Sequence, residues 1–139
     1  MINLSGGGNA SVLIEVRKCY SNEEEVVLIE AVHGALVEAF KIKPTDKAVR
    51  LVAHEPHRFA YPPTLVQPER FTHITINAFV GRSLEVKRSL YKAIVAKLGS
   101  LGIPANHILI VLIESPLENW GVCGGQAACD TDLGFQIAI

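Results

Sequence analysis

Three things missing from this sequence each remove a class of protein. Charge of one sign is missing: 13 Lys and Arg stand against 14 Asp and Glu, for a formal net charge of -1, so the chain does not read as a basic nucleic-acid binder. A long apolar run is missing too: nothing reaches the roughly 18 to 20 residues that cross a bilayer. The first ten residues carry no positive charge and no extended apolar stretch of a secretory signal. Paired cysteines are the third absence. Cys19, Cys123 and Cys129 are an odd number with no CxxC pair, which suggests neither a disulfide framework nor a zinc knuckle. The expectation is a soluble cytoplasmic protein whose partners include neither nucleic acid nor membrane.

Charged residues are also scarce, at 19%, against 49% hydrophobic residues in 139. That composition suits one compact domain with a real core, and it leaves enough apolar surface to suggest burial in an oligomer.

What is present is arranged by period. After a glycine-rich leader at 1–9, Val12, Ile14 and Val16 alternate with Glu15 and Arg17 as a strand. Ser21 and Glu24 then form a capping-box pattern, three glutamates sit where a helix dipole favours them, and Leu28, Ala31, Val32, Ala35, Leu36 and Ala39 recur at helical spacing until Pro44. A second strand is expected around Val49 to Glu55, followed by a Pro-rich irregular loop or extended edge.

The plan then repeats. Ile74 and Ile76 mark a strand, Ser83 caps a helix with Leu90, Tyr91, Ile94, Val95 and Leu98 in its stripe, and ILIVLIE is an almost wholly apolar strand. Such a run carries the signature of a strand buried on both faces. The halves match at an offset of about 60 residues, which predicts an α/β fold built by internal duplication of a βαβ unit. The repeats span about 10–56 and 71–115, followed by a tail at 116–139, so the single domain is 10–139. Two such units give a four-stranded mixed sheet with both helices on one face, and the bare face needs a cover. Other copies of the chain are the simplest one.

Other chemistry-bearing patterns are thin. His54-x-x-His57 is the one close histidine pair, and no third ligand stands at a clear spacing, so no metal is expected. His33 reads as a packing or hydrogen-bonding residue of the first helix, and His73 and His107 as strand-edge and turn residues. GGGN and GVCGG lack a following helix with a phosphate-binding lysine or serine, so no nucleotide or other cofactor is expected. No His, Lys or Asp pattern accompanies Cys19 or Cys123 to make either a nucleophile.

A duplicated βαβ unit carrying Ser21-x-x-Glu24, AVHGALVEAF, Pro44-x-Asp46, GRS at 81–83 and VLIESPLENWGVCGG at 111–125 resembles the tautomerase superfamily, most closely its decarboxylase-like branch. The resemblance implies a homotrimer with sheets facing inwards, and pockets that take a small keto or enol carboxylate. It also implies an amino-terminal proline as general base or acid. In this chain that place falls at Ala10, behind nine residues. An amide nitrogen within a chain has no basic lone pair, and removal of Met1 would expose only Ile2. By the same resemblance Asp46 positions substrate or water, with a plain turn aspartate as the other reading. Arg82 holds a carboxylate or is an ordinary surface residue, and Val80 takes the place of a second arginine. Trp120 walls the pocket or packs an interface. Ala10, Val80, Arg82 and Trp120 are thus the candidate substrate-binding positions, and Asp46 and Arg82 the candidate catalytic ones. Without the proline, proton transfer falls to Asp46 or another group such as Tyr61 or a histidine; the alternative is a non-catalytic trimer that binds a ligand or a protein.

Deleting residues 2–9 together with Ala10→Pro is expected to raise tautomerase activity on phenylenolpyruvate above that of the intact chain. An unchanged rate, in a variant whose assembly is intact, would sink the placement of Ala10.

Overall fold

The computed structural model describes residues 10–131. Its elements run β1 (Ala10–Arg17), α1 (Asn22–Phe40), β2 (Val49–His54), β3 (Thr72–Phe79), α2 (Leu84–Gly99) and β4 (Ile108–Ser115), followed by a short hairpin of β5 (Gly121–Val122) and β6 (Gln126–Ala127). The leader at 1–9 and the last part of the tail, 132–139, lie outside the described residues.

The main sheet has the order β2-β1-β3-β4. β1 pairs parallel with β2, β3 parallel with β4, and the central β1–β3 pair is antiparallel, with Ile14 opposite Ile74 and Ala10 opposite Ala78. Each parallel pair brackets one helix, which makes two βαβ units joined at their first strands. Both helices lie on one face of this four-stranded mixed sheet.

Local chemistry explains the boundaries. At the start of α1 the Ser21 hydroxyl accepts from the Glu24 amide at 3.1 Å, and the Glu24 carboxylate accepts from the Ser21 amide at 2.8 Å. Two amides that the helix leaves unpaired are thereby satisfied. Ser83 caps α2 through the Val86 amide at 3.3 Å. The Pro-rich segment between β2 and β3 is an irregular loop with short 3-10 turns at Pro56–Arg58 and Pro68–Arg70. His107, fully buried, ties this loop down by accepting the Gln67 amide at 3.1 Å.

The core lies between sheet and helices. Val12, Ile14 and Val16 of β1 and Ile74, Ile76 and Ala78 of β3 meet Leu28, Val32, Ala35 and Leu36 of α1 and Leu90, Ile94 and Leu98 of α2. Within one chain the helices cover only one face of β4, as the expected placement of both helices on one side of the sheet requires. Ile108, Ile110 and Leu112 turn toward the core, whereas Leu109, Val111 and Ile113 are 48%, 38% and 47% exposed on the side away from the helices. An uninterrupted apolar run records that both faces are apolar and leaves open what covers each.

The uncovered face also carries Leu13, Glu15, Arg50, Val52, His54, His73, Thr75 and Asn77 by strand alternation. At its middle the Glu15 carboxylate accepts from His54 Nε2 at 2.9 Å and stands 3.9 Å from His73 Nδ1.

The capping box makes the stability of α1 depend on pH. The Ser21 amide, and after it the Ser21 hydroxyl, hold the Glu24 carboxyl below its ordinary value of 4.5. A depressed carboxyl contributes stability that is fully present above the unfolded value and is lost as pH falls through the folded one. Glu24→Ala should therefore melt below the wild type at neutral pH, and thermal scans at decreasing pH should show the gap narrowing once 4.5 is passed. A gap that does not change with pH would contradict the carboxylate's role.

Candidate functional site

The turn between α1 and β2 presents Asp46 at the end of the sheet where β1 begins. α1 ends at Phe40 with Lys41 in the left-handed conformation (φ 58°), the Asp46 amide donates to the Lys43 carbonyl at 2.9 Å, and the Ala48 carbonyl accepts from the Val12 amide at 2.9 Å. That last bond threads β2 into register beside β1. Between the turn and the first residues of β1 lies a cavity of about 270 Å³. Ala10, Ser11, Thr45, Asp46, Lys47 and Ala48 line it, and Trp120 closes the side supplied by the tail.

Trp120 is held there by its neighbours. β4 ends at Ser115, Pro116 follows, and a 3-10 turn over Leu117–Asn119 brings the chain back. The Trp120 Nε1–H then donates to Ser115 Oγ at 2.9 Å, and the ring meets Phe79 edge to face, with centroids 4.8 Å apart at 80°. The Ala128 amide donates to the Trp120 carbonyl at 2.9 Å. Phe79 and Ala128, both fully buried, form a small second core with Leu117, Trp120 and Val122. A ring fixed on several sides makes a stiff wall.

Ala10, Asp46 and Trp120 therefore converge. Arg82 is not among the described residues that line this cavity. It is 8% exposed, its guanidinium lies 4.1 Å from the Phe40 ring centroid, and Nη1 donates to the Phe79 carbonyl at 3.3 Å. Burial pulls its pKa down and the Glu114 carboxylate opposes that; a guanidinium stays charged under both influences. Arg82 thus connects to Trp120 through Phe79, whose carbonyl it bonds and against whose ring the indole packs. Val80 is 41% exposed, and its amide donates to the Ser115 carbonyl at 3.1 Å. It too is absent from the described lining.

Sequence reasoning passed over a cation on the other side. Arg50, exposed on the uncovered face of β2 and itself outside the described lining, donates from Nη1 at 3.2 Å to Oγ of Ser11, a residue of that lining. Strand parity placed Arg50 on the uncovered face, but only the β1–β2 register brings it to Ser11. Lys47, also in the lining, is ion-paired with Glu30 of α1.

The other candidates lie elsewhere. Tyr61 sits under the Arg17 guanidinium, 4.9 Å from it. His57 belongs to the 3-10 turn at Pro56–Arg58 and His54 bonds Glu15. Among the described residues no group of three or more His, Cys, Asp or Glu is arranged to hold a metal ion. Burial pushes the Cys19 thiol up, which lowers its thiolate fraction. A second hollow, about 190 Å³ between Tyr20, Arg70, Val27, Leu28 and Leu101, shares no residue with the first.

Fold and cavity together define a two-unit βαβ protein with a carboxylate and an indole gathered at the start of its first strand. A family model described as Tautomerase enzyme matches residues 46–123, more than half of the chain, and the chain belongs to that family. It is similar to FG41 malonate semialdehyde decarboxylase, solved inhibited by 3-bromopropiolate, at 26% identity and TM-score 0.73, over 86% of this chain and 94% of that one. A second malonate semialdehyde decarboxylase, described with decarboxylase and hydratase activities, shares 21% identity over 88% of this chain and 99% of its own, at TM-score 0.76. A fused 4-OT, solved as an asymmetric trimer, shares 19% over 86% and 97%, at TM-score 0.77. The last two likenesses establish the fold alone.

Trp120 offers a direct check on the geometry of the wall. Trp120→Phe keeps a ring against Phe79 and loses the bond to Ser115, for an expected cost of about 1 kcal/mol. Trp120→Ala loses both, about 2 to 3 kcal/mol for a half-buried ring. Urea unfolding followed by circular dichroism measures both, and wild-type midpoints in the two variants would mean that the indole is not packed as described.

Proposed function

We propose that the chain binds a small keto or enol carboxylate in the cavity between Ala10 and Trp120 and moves a proton on it without an amino-terminal proline. The observation that carries this reading is the convergence of Asp46, Ser11 and Trp120 on one cavity with the Arg50 guanidinium at its edge. Family membership supports the chemistry, because tautomerisation needs only a positioned base and a charge that holds the substrate.

The parts divide as follows. Arg50 holds the substrate carboxylate, since an exposed guanidinium can offer paired donors without being unpacked. Trp120 shapes the apolar side and excludes water. Asp46 takes a proton from the carbon next to the substrate carbonyl and, now a carboxylic acid, delivers it to the carbonyl oxygen, which yields the enol and restores the carboxylate; the reverse converts enol to keto. A carboxylate serves here because the Ala10 nitrogen is an amide within the chain. Arg82, stacked on Phe40, braces the Phe79–Trp120 wall rather than touching substrate.

The working unit in this reading is a homotrimer whose uncovered sheet faces meet at its centre, placed in the cytoplasm in keeping with three free cysteines. A second reading, a ligand-binding or protein-interaction trimer without turnover, is favoured by the same Ala10, which removes the family's base.

Trp120 is the sole tryptophan, so its fluorescence reports on the cavity directly. Titration with small keto acids should give a saturable change, with Arg50→Ala weakening affinity about 10- to 100-fold, the loss of one charge-assisted interaction. Asp46→Asn should keep the binding and lose turnover of phenylenolpyruvate, 2-hydroxymuconate or malonate semialdehyde. Arg82→Ala should lower the melting temperature more than Arg50→Ala does. Saturable binding with no turnover in the wild type would select the second reading; no binding at all would defeat both ligand-based readings.

A further inference from the structure

His33 lies in the middle of α1, 6% exposed, where the period of the helix calls for an apolar side chain. Its Nε2 is 2.8 Å from the Pro44 carbonyl oxygen. A carbonyl only accepts, so an Nε2–H donates to it. Nδ1 is buried and, among the described residues, has no hydrogen-bond partner. An unmatched buried polar atom is destabilising, a cost that a leucine at this position would not incur. The bond to Pro44 is what the imidazole supplies in return.

That bond falls at a particular place. Pro44 immediately precedes Thr45, and Thr45, Asp46, Lys47 and Ala48 are consecutive residues of the cavity wall. Other contacts among the described residues also hold the turn. The Asp46 amide closes it onto Lys43, the Ala48 carbonyl joins it to β1, and Lys47 pairs with Glu30, three residues before His33 on the same side of α1. The Lys47–Glu30 pair is 41% and 54% exposed, so water screens it strongly. The His33 bond is part-buried, its imidazole shielded inside the helix layer although Pro44 itself is exposed, so it is screened less.

We propose that His33 is the positioning residue of the site: it fixes the Pro44 carbonyl to α1 and so sets where the following turn holds Asp46 against the cavity. This rests on the reading of Asp46 as the proton-handling group, though the tether itself does not need it. Two substitutions separate donor from bulk. His33→Gln places an amide N–H at about the reach of Nε2, and His33→Leu fills the space with no donor.

Hydrogen–deuterium exchange on the full chain provides a readout that needs no ligand. In His33→Leu the Asp46 amide should exchange about tenfold faster than in the wild type, with the amides of β3 and α2 unchanged, and His33→Gln should stay close to wild type. In turnover on the keto-acid substrate, His33→Leu should lower kcat more than it raises KM, with His33→Gln restoring most of the rate. Equal exchange at Asp46 in the Leu and Gln variants would overturn the tether. Faster exchange spread over the whole of His33→Leu would also overturn it, since that marks a packing role. Should the Leu variant fail to fold, His33→Asn, whose amide stops short of the carbonyl, takes its place with the same expectations. A wild type that turns over nothing counts against the functional reading alone, and exchange then decides the tether by itself.

Discussion

Every feature of this molecule depends on the antiparallel seam between β1 and β3. It joins two βαβ units by their first strands, and since a right-handed crossover places each helix on the same side, both helices share one face. The core fills that side. The same seam leaves the opposite face with Leu13, Val52, Leu109, Val111 and Ile113 around a Glu15–His54–His73 centre. Val52, Leu109, Val111 and Ile113 are large and more than one-third exposed, and each would gain on the order of 1 kcal/mol from burial of its remaining surface. A polar centre within such a face favours one registration of a partner over others, because a shifted partner would leave the charged group unmatched.

The seam also decides where chemistry can happen. It begins at Ala10 and Ala78, and at that edge β1, the entry turn of β2 and the returning tail come together. Charge is partitioned around the edge by burial. Arg82 is buried, with its guanidinium over the Phe40 ring and a bond to the Phe79 carbonyl, whereas Arg50 is exposed and bonds Ser11 of the cavity lining. The rigid indole of Trp120 stands between the Phe79 core and the cavity. A fixed indole wall with the cations Lys47 and Arg50 on the opposite side is the arrangement on which the proposed binding of a small anion rests.

Much of this was legible in the chain itself. The Ser21–Glu24 and Ser83 caps placed both helix starts, period-2 alternation placed β1 and β3, and the offset between the halves gave the sheet its plan. The apolar run of β4 announced two apolar faces, of which the helices of the same chain cover one; what covers the other is not written in the run itself. Asp46, Ala10 and Trp120 were named by family likeness, and the structure brings them to one cavity. Arg50 escaped notice because its contact with Ser11 is a matter of inter-strand register, which a single sequence does not specify. Arg82 was weighed as a ligand-holding or surface residue, and its burial against Phe40 comes from α1 and the end of β3 meeting in space. Nothing in the local pattern around either residue announces that contact.

In the proposed homotrimer, further copies of this chain cover the apolar face that the seam leaves open. Sedimentation equilibrium of the full chain, at concentrations spanning the micromolar range and neutral pH, tests that most directly. A mass of three times 15.1 kDa that holds on dilution is the predicted result. A monodisperse 15.1 kDa species with its fold intact would contradict the account, because the apolar face of β4 would then stand in water with nothing to cover it.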